Sequence, residues 1–312
     1  MKIVIVGPGA IGLLLYALLQ RTKEDIWLLD KDRERAKRLK KDGARIEGLV
    51  ALSLSDVRIT SDPSELKDAG LWLVCVKSYD TRAAVNSFAA HVRKEASICS
   101  LQNGLGNLEV LEERFGEGRV LAGITQMGAT RVAENAVRFC GEGETVFGRL
   151  DQTLSVGLKD LRELFVRAKL PVKISRDVTG VLWSKLVVNA GINALTAVLA
   201  VPNGVLLAHD GARQLMKAAV QEAFKVARRK RIKLLFDDPV AKAESVCEAT
   251  SENRSSMLMD VLAQKKTEAD AINGAIVRYG ESLNVKTPVN AMLFDMVKAI
   301  ESNYARRVTT SS

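Results

Sequence analysis

The sequence predicts an α/β fold, a doubly wound parallel sheet over residues 1–176 joined to an all-helical region over residues 177–312. Three observations predict it. Short β-branched apolar runs alternate with helical stretches through the first half, the pattern of successive βαβ units. The first run leads straight into a glycine turn and a helix. From Asp177 onward nearly every stretch is helical in pattern, punctuated by Pro202, Pro239 and Pro288.

The first strand is Lys2-Ile3-Val4-Ile5-Val6, and it opens into Gly7-Pro8-Gly9-Ala10-Ile11-Gly12. Residues 13–20 follow as a helix. Strand, G-x-G-x-x-G and helix in that order form a Rossmann-type dinucleotide fingerprint. Gly7 permits the tight turn, Gly9 lets a pyrophosphate reach the backbone, and Gly12 lets the helix pack closely. The N–H groups and positive dipole end of the helix then face the phosphates. The competing reading is a glycine-rich turn in an α/β core without ligand. A second strand ends at Asp30, 18 residues past Gly12, where a ribose-binding carboxylate is expected.

Residues 31–39 read as a charged helix, and residues 44–60 as short strands or a hairpin. Residues 64–66 begin a short helix. The run 71–76 is near-continuously apolar, as in a strand buried on both faces. It ends in Lys77-Ser78-Tyr79-Asp80-Thr81, with a helix to about Arg93. The strand 97–101 ends in Gln102-Asn103-Gly104-Leu105-Gly106, before a helix from Asn107 to Phe115. In such sheets ligands bind beyond the carboxyl ends of the strands, so these polar loops should converge on one crevice. Residues 119–149 read as strands turning at Glu134-Asn135 and Gly141-Glu142-Gly143.

A hydrophobic fraction of 47% and a charged fraction of 27% are those of a soluble globular protein, and 312 residues suffice for two domains. The apolar N-terminus reads as strand–turn–helix rather than signal peptide, and no other stretch approaches the ~18 uninterrupted apolar residues of a membrane helix. Four scattered cysteines without C-x-x-C fit reduced thiols in the cytoplasm, and argue against a disulfide frame or metal site. The net charge of +9 suits a protein whose ligands are anions. The densest basic stretch, residues 228–233, lacks interleaved aromatics and reads as a solvated helix end, not a nucleic-acid surface. With only His91 and His209 present, a proton donor must be sought among other residues.

The stretch 182–196 is the most informative. Lys185, Asn189 and Asn193 are spaced i, i+4, i+8 and form one polar stripe among apolar neighbours. Read functionally, it is an ammonium proton donor followed by two amides. Read blandly, it is a polar contact between helices. Thr267-Glu268-Ala269-Asp270 looks like a helix start, with Thr267 as N-cap and Asp270 in the capping-box position. On spacing alone Glu268 is a first-turn acid favoured by the helix dipole.

Together these motifs resemble the ketopantoate reductase family: G-x-G-A-x-G from Gly7, V-K-S-Y-D from Val76, Q-N-G-L-G from Gln102, L-W-S-K-L-x-x-N-x-x-x-N-x-L-T-A from Leu182, P-N-G from Pro202, N-R-S-S-M-L-x-D from Asn253 and K-T-E-A-D-x-I-N-G from Lys266. The similarity runs from Met1 to about Glu301. It implies NAD(P)H-dependent reduction of 2-dehydropantoate to (R)-pantoate, on the route to pantothenate and coenzyme A, by a cytoplasmic enzyme. It makes Lys185 the general acid and Glu268 the acid that orients Lys185 or the ligand. Asn189, Asn193 and Asn203 become substrate-binding amides, and Asn253 and Ser256 partners of the substrate's polar groups. Lys77, Asn103 and Ala129 become cofactor neighbours, with Asn103 and Lys185 also on the substrate. One departure concerns the coenzyme. Many members carry Arg after the second strand, which meets the 2′-phosphate of NADPH. Here Asp30 stands there, which suits NADH, although Lys31 or Arg33 could hold a phosphate. The alternatives are a paralogue reducing another 2-oxo acid and a non-catalytic dinucleotide sensor. No nucleic-acid or membrane partner is expected, and a homodimer is left open.

Overall fold

The computed structural model describes residues 1–306. The chain divides into two compact units, Met1–Gln102 with Gly106–Val178, and Asn103–Leu105 with the residues from Thr179 onward.

The first unit alternates strand and helix as its sequence pattern requires. Its elements are β1 (Lys2–Val6), α1 (Ala10–Leu19), β2 (Asp25–Leu29), α2 (Arg33–Asp42), β3 (Ala44–Gly48), β4 (Leu52–Leu54), β5 (Ile59–Thr60), β6 (Leu71–Val74), α3 (Thr81–Phe88), β7 (Ser97–Ser100), α4 (Asn107–Phe115), β8 (Val120–Thr125), β9 (Gly128–Ala133), β10 (Ala136–Gly141), β11 (Thr145–Gly148), α5 (Val156–Arg167) and β12 (Val172–Ile174). Eight strands form one sheet in the order β12-β11-β8-β7-β6-β1-β2-β5. Every pair in it is parallel except β11 with β8. β1 lies between β2 and β6, with Val6 opposite Leu29 and Val74, so the strand that feeds the glycine turn is central. Its residues 3–6 are all buried, which explains the continuous apolar run. α3 ends at Phe88 and a 3₁₀ turn carries the chain to His91, short of the expected Arg93.

A second sheet, β4-β3-β10-β9, was only half legible. The β3–β4 hairpin and the β9–β10 ribbon follow from local alternation. Their union is a parallel pairing of β3 with β10, between segments far apart in sequence. α1 packs against β9 and β10.

The second unit is helical: α6 (Val178–Leu199), α7 (Val205–Ala208), α8 (Asp210–Arg229), α9 (Pro239–Ala249), α10 (Ser256–Leu262), α11 (Asn273–Ser282) and α12 (Pro288–Ser302). Its core gathers Trp183, Leu186, Val187, Met216, Val220 and Leu258. α6 is long and apolar enough to cross a membrane by length and composition, but 78% of its most apolar window is buried inside the protein, as for a core helix. Gly191 explains how α8 comes so near, since a Cβ there would stand 2.4 Å from Val220 Cγ2. The basic run at 228–233 ends α8, with Arg228 to Arg231 exposed.

The segment 267–270 differs from expectation. No long helix starts at Thr267; one 3₁₀ turn, Ala269–Ala271, precedes α11. The Thr267 hydroxyl accepts from the Ala269 N–H at 3.2 Å. Asp270 does not close a capping box, because its carboxylate pairs with Lys298 at 3.1 Å and the Thr267 N–H goes to Glu301 instead. A distant acid has replaced the local one.

Candidate active site

In the first unit the turn after β1 has the geometry its glycines require. Gly7 has φ 94°, and its N–H donates to the Leu29 carbonyl at 2.9 Å, tying the turn to β2. A Cβ on Gly12 would stand 2.1 Å from the Gly7 oxygen, so helix and turn touch there. A Cβ on Gly9 would meet nothing within 4 Å. Gly9 is therefore not needed for packing, and its backbone faces open space. Gly9 heads α1 without a side-chain cap, so the first amides of α1 have no intrahelical acceptor. Pro8, Ala10 and Ile11 complete the turn.

Asp30 follows directly on β2, at the strand end where it was expected, but it does not present a bare carboxylate. It is 1% exposed, and both oxygens accept from the Arg35 guanidinium on α2. The Asp32 N–H also donates to it at 3.1 Å. Arg131 on β9 lies in the same field, and burial with the Arg35 cation holds its pKa below the usual arginine range. Lys31 is mostly exposed and pairs with Asp80 at 3.0 Å, in the loop that Lys77 begins. Ala129 lies on β9, partly buried against the core of this unit.

In the second unit Lys185 is the centre of the polar stripe. It lies on α6, and its Nζ donates to Asn103 Oδ1 at 2.8 Å. Burial lowers its pKa from 10.5 to about 8, and the charge of Glu268 opposes that fall. Glu268 is 5% exposed, so the solvated first-turn acid expected from spacing is not what stands there. Asn103 reaches Lys185 because its segment seats on Ala271. The Leu105 N–H donates to the Ala271 carbonyl at 2.9 Å. Gly104 has φ 79°, and a Cβ on it would be 2.6 Å from Ala271. Further along α6, Asn189 is partly exposed and Asn193 buried.

The P-N-G and N-R-S-S motifs meet through their backbones. The Asn203 N–H donates to the Asn253 carbonyl at 2.9 Å, and the Gly204 N–H to Ser251 at 3.0 Å. Asn203 Nδ2 donates to the Thr250 hydroxyl at 2.9 Å, while its Oδ1 is buried without a hydrogen-bond partner. The side chains of Asn253 and Ser256 are exposed. Ser255, not Ser256, is buried; it caps α10 and lies 2.7 Å from the Thr196 hydroxyl on α6. Among the described residues no three His, Cys, Asp or Glu side chains gather to hold a metal.

An ammonium held near neutral pKa, with an amide and a buried carboxylate beside it, can donate a proton and offset a developing negative charge. The sequence matches ketopantoate reductase PanE/ApbA over residues 3–152 and its C-terminal region over residues 177–301. The chain belongs to the ketopantoate reductase family. It is 36% identical over 303 residues to the 2-dehydropantoate 2-reductase of Pyrococcus horikoshii, covering 97% of this chain and 98% of that one. The crystal structure of a PanE/ApbA family ketopantoate reductase from Ralstonia eutropha superposes with a TM-score of 0.90 at 31% identity, over 98% of this chain and all of that one. A ternary structure of D-mandelate dehydrogenase with NADH and anilino(oxo)acetate gives the same TM-score at 25% identity, over 97% and 99%.

Two residues of this family member were not legible in its sequence. Arg35 carries no signal beyond being one of several cations on a charged helix. Glu301 lies at the edge of the recognisable motifs and far from the residue it holds.

Proposed function

We infer that the chain is an NAD(P)H-dependent oxidoreductase that reduces the ketone of 2-dehydropantoate, giving (R)-pantoate. Its curated relatives bear the name of that reaction over nearly their whole length. The observation that carries the assignment of the acid is Lys185, desolvated to a pKa of about 8 beside Asn103 and Glu268.

In this reading the first unit holds the dinucleotide and the second does the proton chemistry. The backbone of Gly7 to Gly12, with Pro8, Ala10 and Ile11 between the glycines, carries the pyrophosphate, and Gly9 leaves room for it. Lys77, Ala129 and Asn103 are further cofactor contacts. The reduced nicotinamide, when bound, supplies the hydride. Lys185 donates the proton to the ketone oxygen, and its charge offsets the alkoxide as it forms. Glu268 favours the ammonium over the amine, so the acid stays loaded at neutral pH. Asn103, Asn189, Asn193 and Asn203 bind the substrate's oxygens and hydroxyls, with Asn253 and Ser256 at its polar end. The unpartnered Oδ1 of Asn203 suits a substrate hydroxyl donor.

Asp30 and Arg35 set the coenzyme ratio. The carboxylate suits a free ribose hydroxyl, as in NADH, whereas the guanidinium it holds is the group a 2′-phosphate of NADPH would take. Reduction of a different 2-oxo acid is the second reading, favoured by the likeness to D-mandelate dehydrogenase. Steady-state oxidation of NADH and NADPH with a panel of 2-oxo acids tests both. 2-Dehydropantoate should give the highest kcat/KM; a higher value for an aryl oxo acid would favour the second reading.

A further inference from the structure

We propose that Glu301, on α12, is a positioning residue for this reduction: by gripping Thr267 it fixes the segment 265–272, which contains Glu268 and seats Asn103, two groups that act on Lys185. The inference rests on the reading of Lys185 as proton donor and Glu268 as its charge partner.

These two groups are tied to one block. Glu268 lies within it, and the Glu268 carbonyl accepts from the N–H groups of Ala271 at 3.0 Å and Ile272 at 3.1 Å. Asn103 is seated on it, through the Leu105–Ala271 hydrogen bond and the close approach of Gly104. The block has little regular structure of its own. α10 ends at Leu262, α11 begins at Asn273, and only the 3₁₀ turn Ala269–Ala271 lies between. One short turn cannot fix its own place, because it closes too few hydrogen bonds to offset the ordering of its residues.

The C-terminal helix supplies what is missing. Thr267 is 0% exposed, and both its N–H and its hydroxyl donate to the same Glu301 oxygen, at 2.8 and 2.6 Å. The second Glu301 oxygen accepts from Lys298 at 2.8 Å, and Lys298 reaches back to Asp270 at 3.1 Å. The Tyr304 hydroxyl donates to the Lys265 carbonyl at 2.7 Å, and Arg278 donates to the Asp270 carbonyl at 2.8 Å. The block is thus held at residues 265, 267 and 270, on both sides of Glu268. Charge-assisted bonds to a carboxylate are about twice as strong as neutral ones. The charged groups concerned are Glu268 toward Lys185, Lys298 toward Glu301, and Lys298 with Arg278 toward Asp270.

Releasing Thr267 lets Glu268 and the Asn103 seat move together. Burial then acts on Lys185 with less opposition, and the ammonium loses its proton at a lower pH. A purely stabilising role for Glu301 would lower the melting temperature and leave the pH profile alone.

The test compares Glu301→Ala, Glu301→Gln, Glu268→Gln and the parent, by kcat, KM, alkaline limb and cofactor affinity. Glu301→Ala should lose about tenfold or more in kcat, as small misplacements of catalytic groups do. Its alkaline limb should lie below the parent's, and its cofactor affinity should change by no more than the single contact of Asn103 accounts for. Glu301→Gln keeps an oxygen acceptor for Thr267 and should stay within about threefold of the parent. If Glu301→Ala does not fold, Thr267→Val removes the hydroxyl, with its bond to Glu301 and the one it accepts from the Ala269 N–H, while the Thr267 N–H still reaches Glu301, and it should shift the limb in the same direction by less. A parent-like limb in Glu301→Ala, or in Thr267→Val where that variant stands in, overturns the proposal. So does equal impairment of the Ala and Gln variants. Glu268→Gln separates the two levels. If it leaves rate and limb in place, the Lys185–Glu268 reading itself fails; if it moves them while Glu301→Ala does not, only the role of Glu301 fails.

Discussion

Titration of Lys185 is the sharpest consequence of the site. Burial holds this ammonium at about 8 instead of 10.5, a difference of about 3 kcal/mol against the charged form. A proton donor with that pKa is about nine-tenths protonated at pH 7 and about one-tenth at pH 9. The rate should therefore fall by about an order of magnitude across that interval, with no loss of cofactor binding. The same difference bears on stability. The unfolded lysine keeps its proton up to about 10.5 and the folded one releases it near 8. Between those values the unfolded state binds more protons, so stability rises with pH there, and below 8 the buried charge costs its full penalty. The double variant Lys185→Met with Glu268→Gln removes the pair without leaving either charge buried alone. It should be at least as stable as the parent at neutral pH, and that advantage should shrink as pH rises from 8 to 10.5. Lys185→Met alone should lose about 10²–10⁴-fold in kcat. The assays are kcat against pH from 6 to 10 and denaturant unfolding at three pH values. A rate flat from pH 7 to 9, or Lys185→Met retaining more than about a tenth of parent kcat, would refute the proton-donor reasoning.

Other perturbations separate binding from folding. Gly9→Val should fold with a parent-like melting temperature, because a Cβ there meets nothing within 4 Å. It should show no nicotinamide fluorescence change on titration with NADH or NADPH. Gly12→Ala places its methyl 2.1 Å from the Gly7 oxygen and should cost about 1–3 kcal/mol in denaturant unfolding. Asp30→Ser releases Arg35 and should raise the ratio of kcat/KM for NADPH over NADH; an unchanged ratio would place the ribose elsewhere. Ser255→Ala removes the cap of α10 and should cost about 0.5–2 kcal/mol, read by thermal unfolding.

Where information was local, the sequence was readable. β1, the glycine turn and α1 form one contiguous signal, and the change to helical periodicity after Asp177 marks α6. The Lys185–Asn189–Asn193 stripe could be placed on one face because helix spacing alone dictates it. Interactions between distant segments were not readable. Thr267 looked like an N-cap with a local acid at Asp270, but the acid that satisfies its N–H is Glu301. Asp30 was correctly placed at the strand end, yet nothing in its neighbourhood singled out Arg35 among Arg33, Arg35 and Arg38 as the residue that closes on it. The second sheet hid its central pairing for the same reason, since β3 and β10 each look like half of an unrelated hairpin. Asn103–Leu105 sits between a strand and a helix of the first unit, and its seat on Ala271 with its bond from Lys185 joins it to the second.

That seat has a consequence for a chain made from its N-terminus. Ribosomes extend a protein at roughly 5–20 residues per second, and early regions fold while later ones are still unmade. The strands of the first sheet can pair once Ile174 has emerged, but Leu105 then still has no Ala271 to receive its N–H. The surroundings of Lys185 are completed later again, by a carboxylate at position 301. A product terminated before Ala271 would thus carry the paired strands and the glycine turn while Asn103 lacks the seat that holds it beside Lys185.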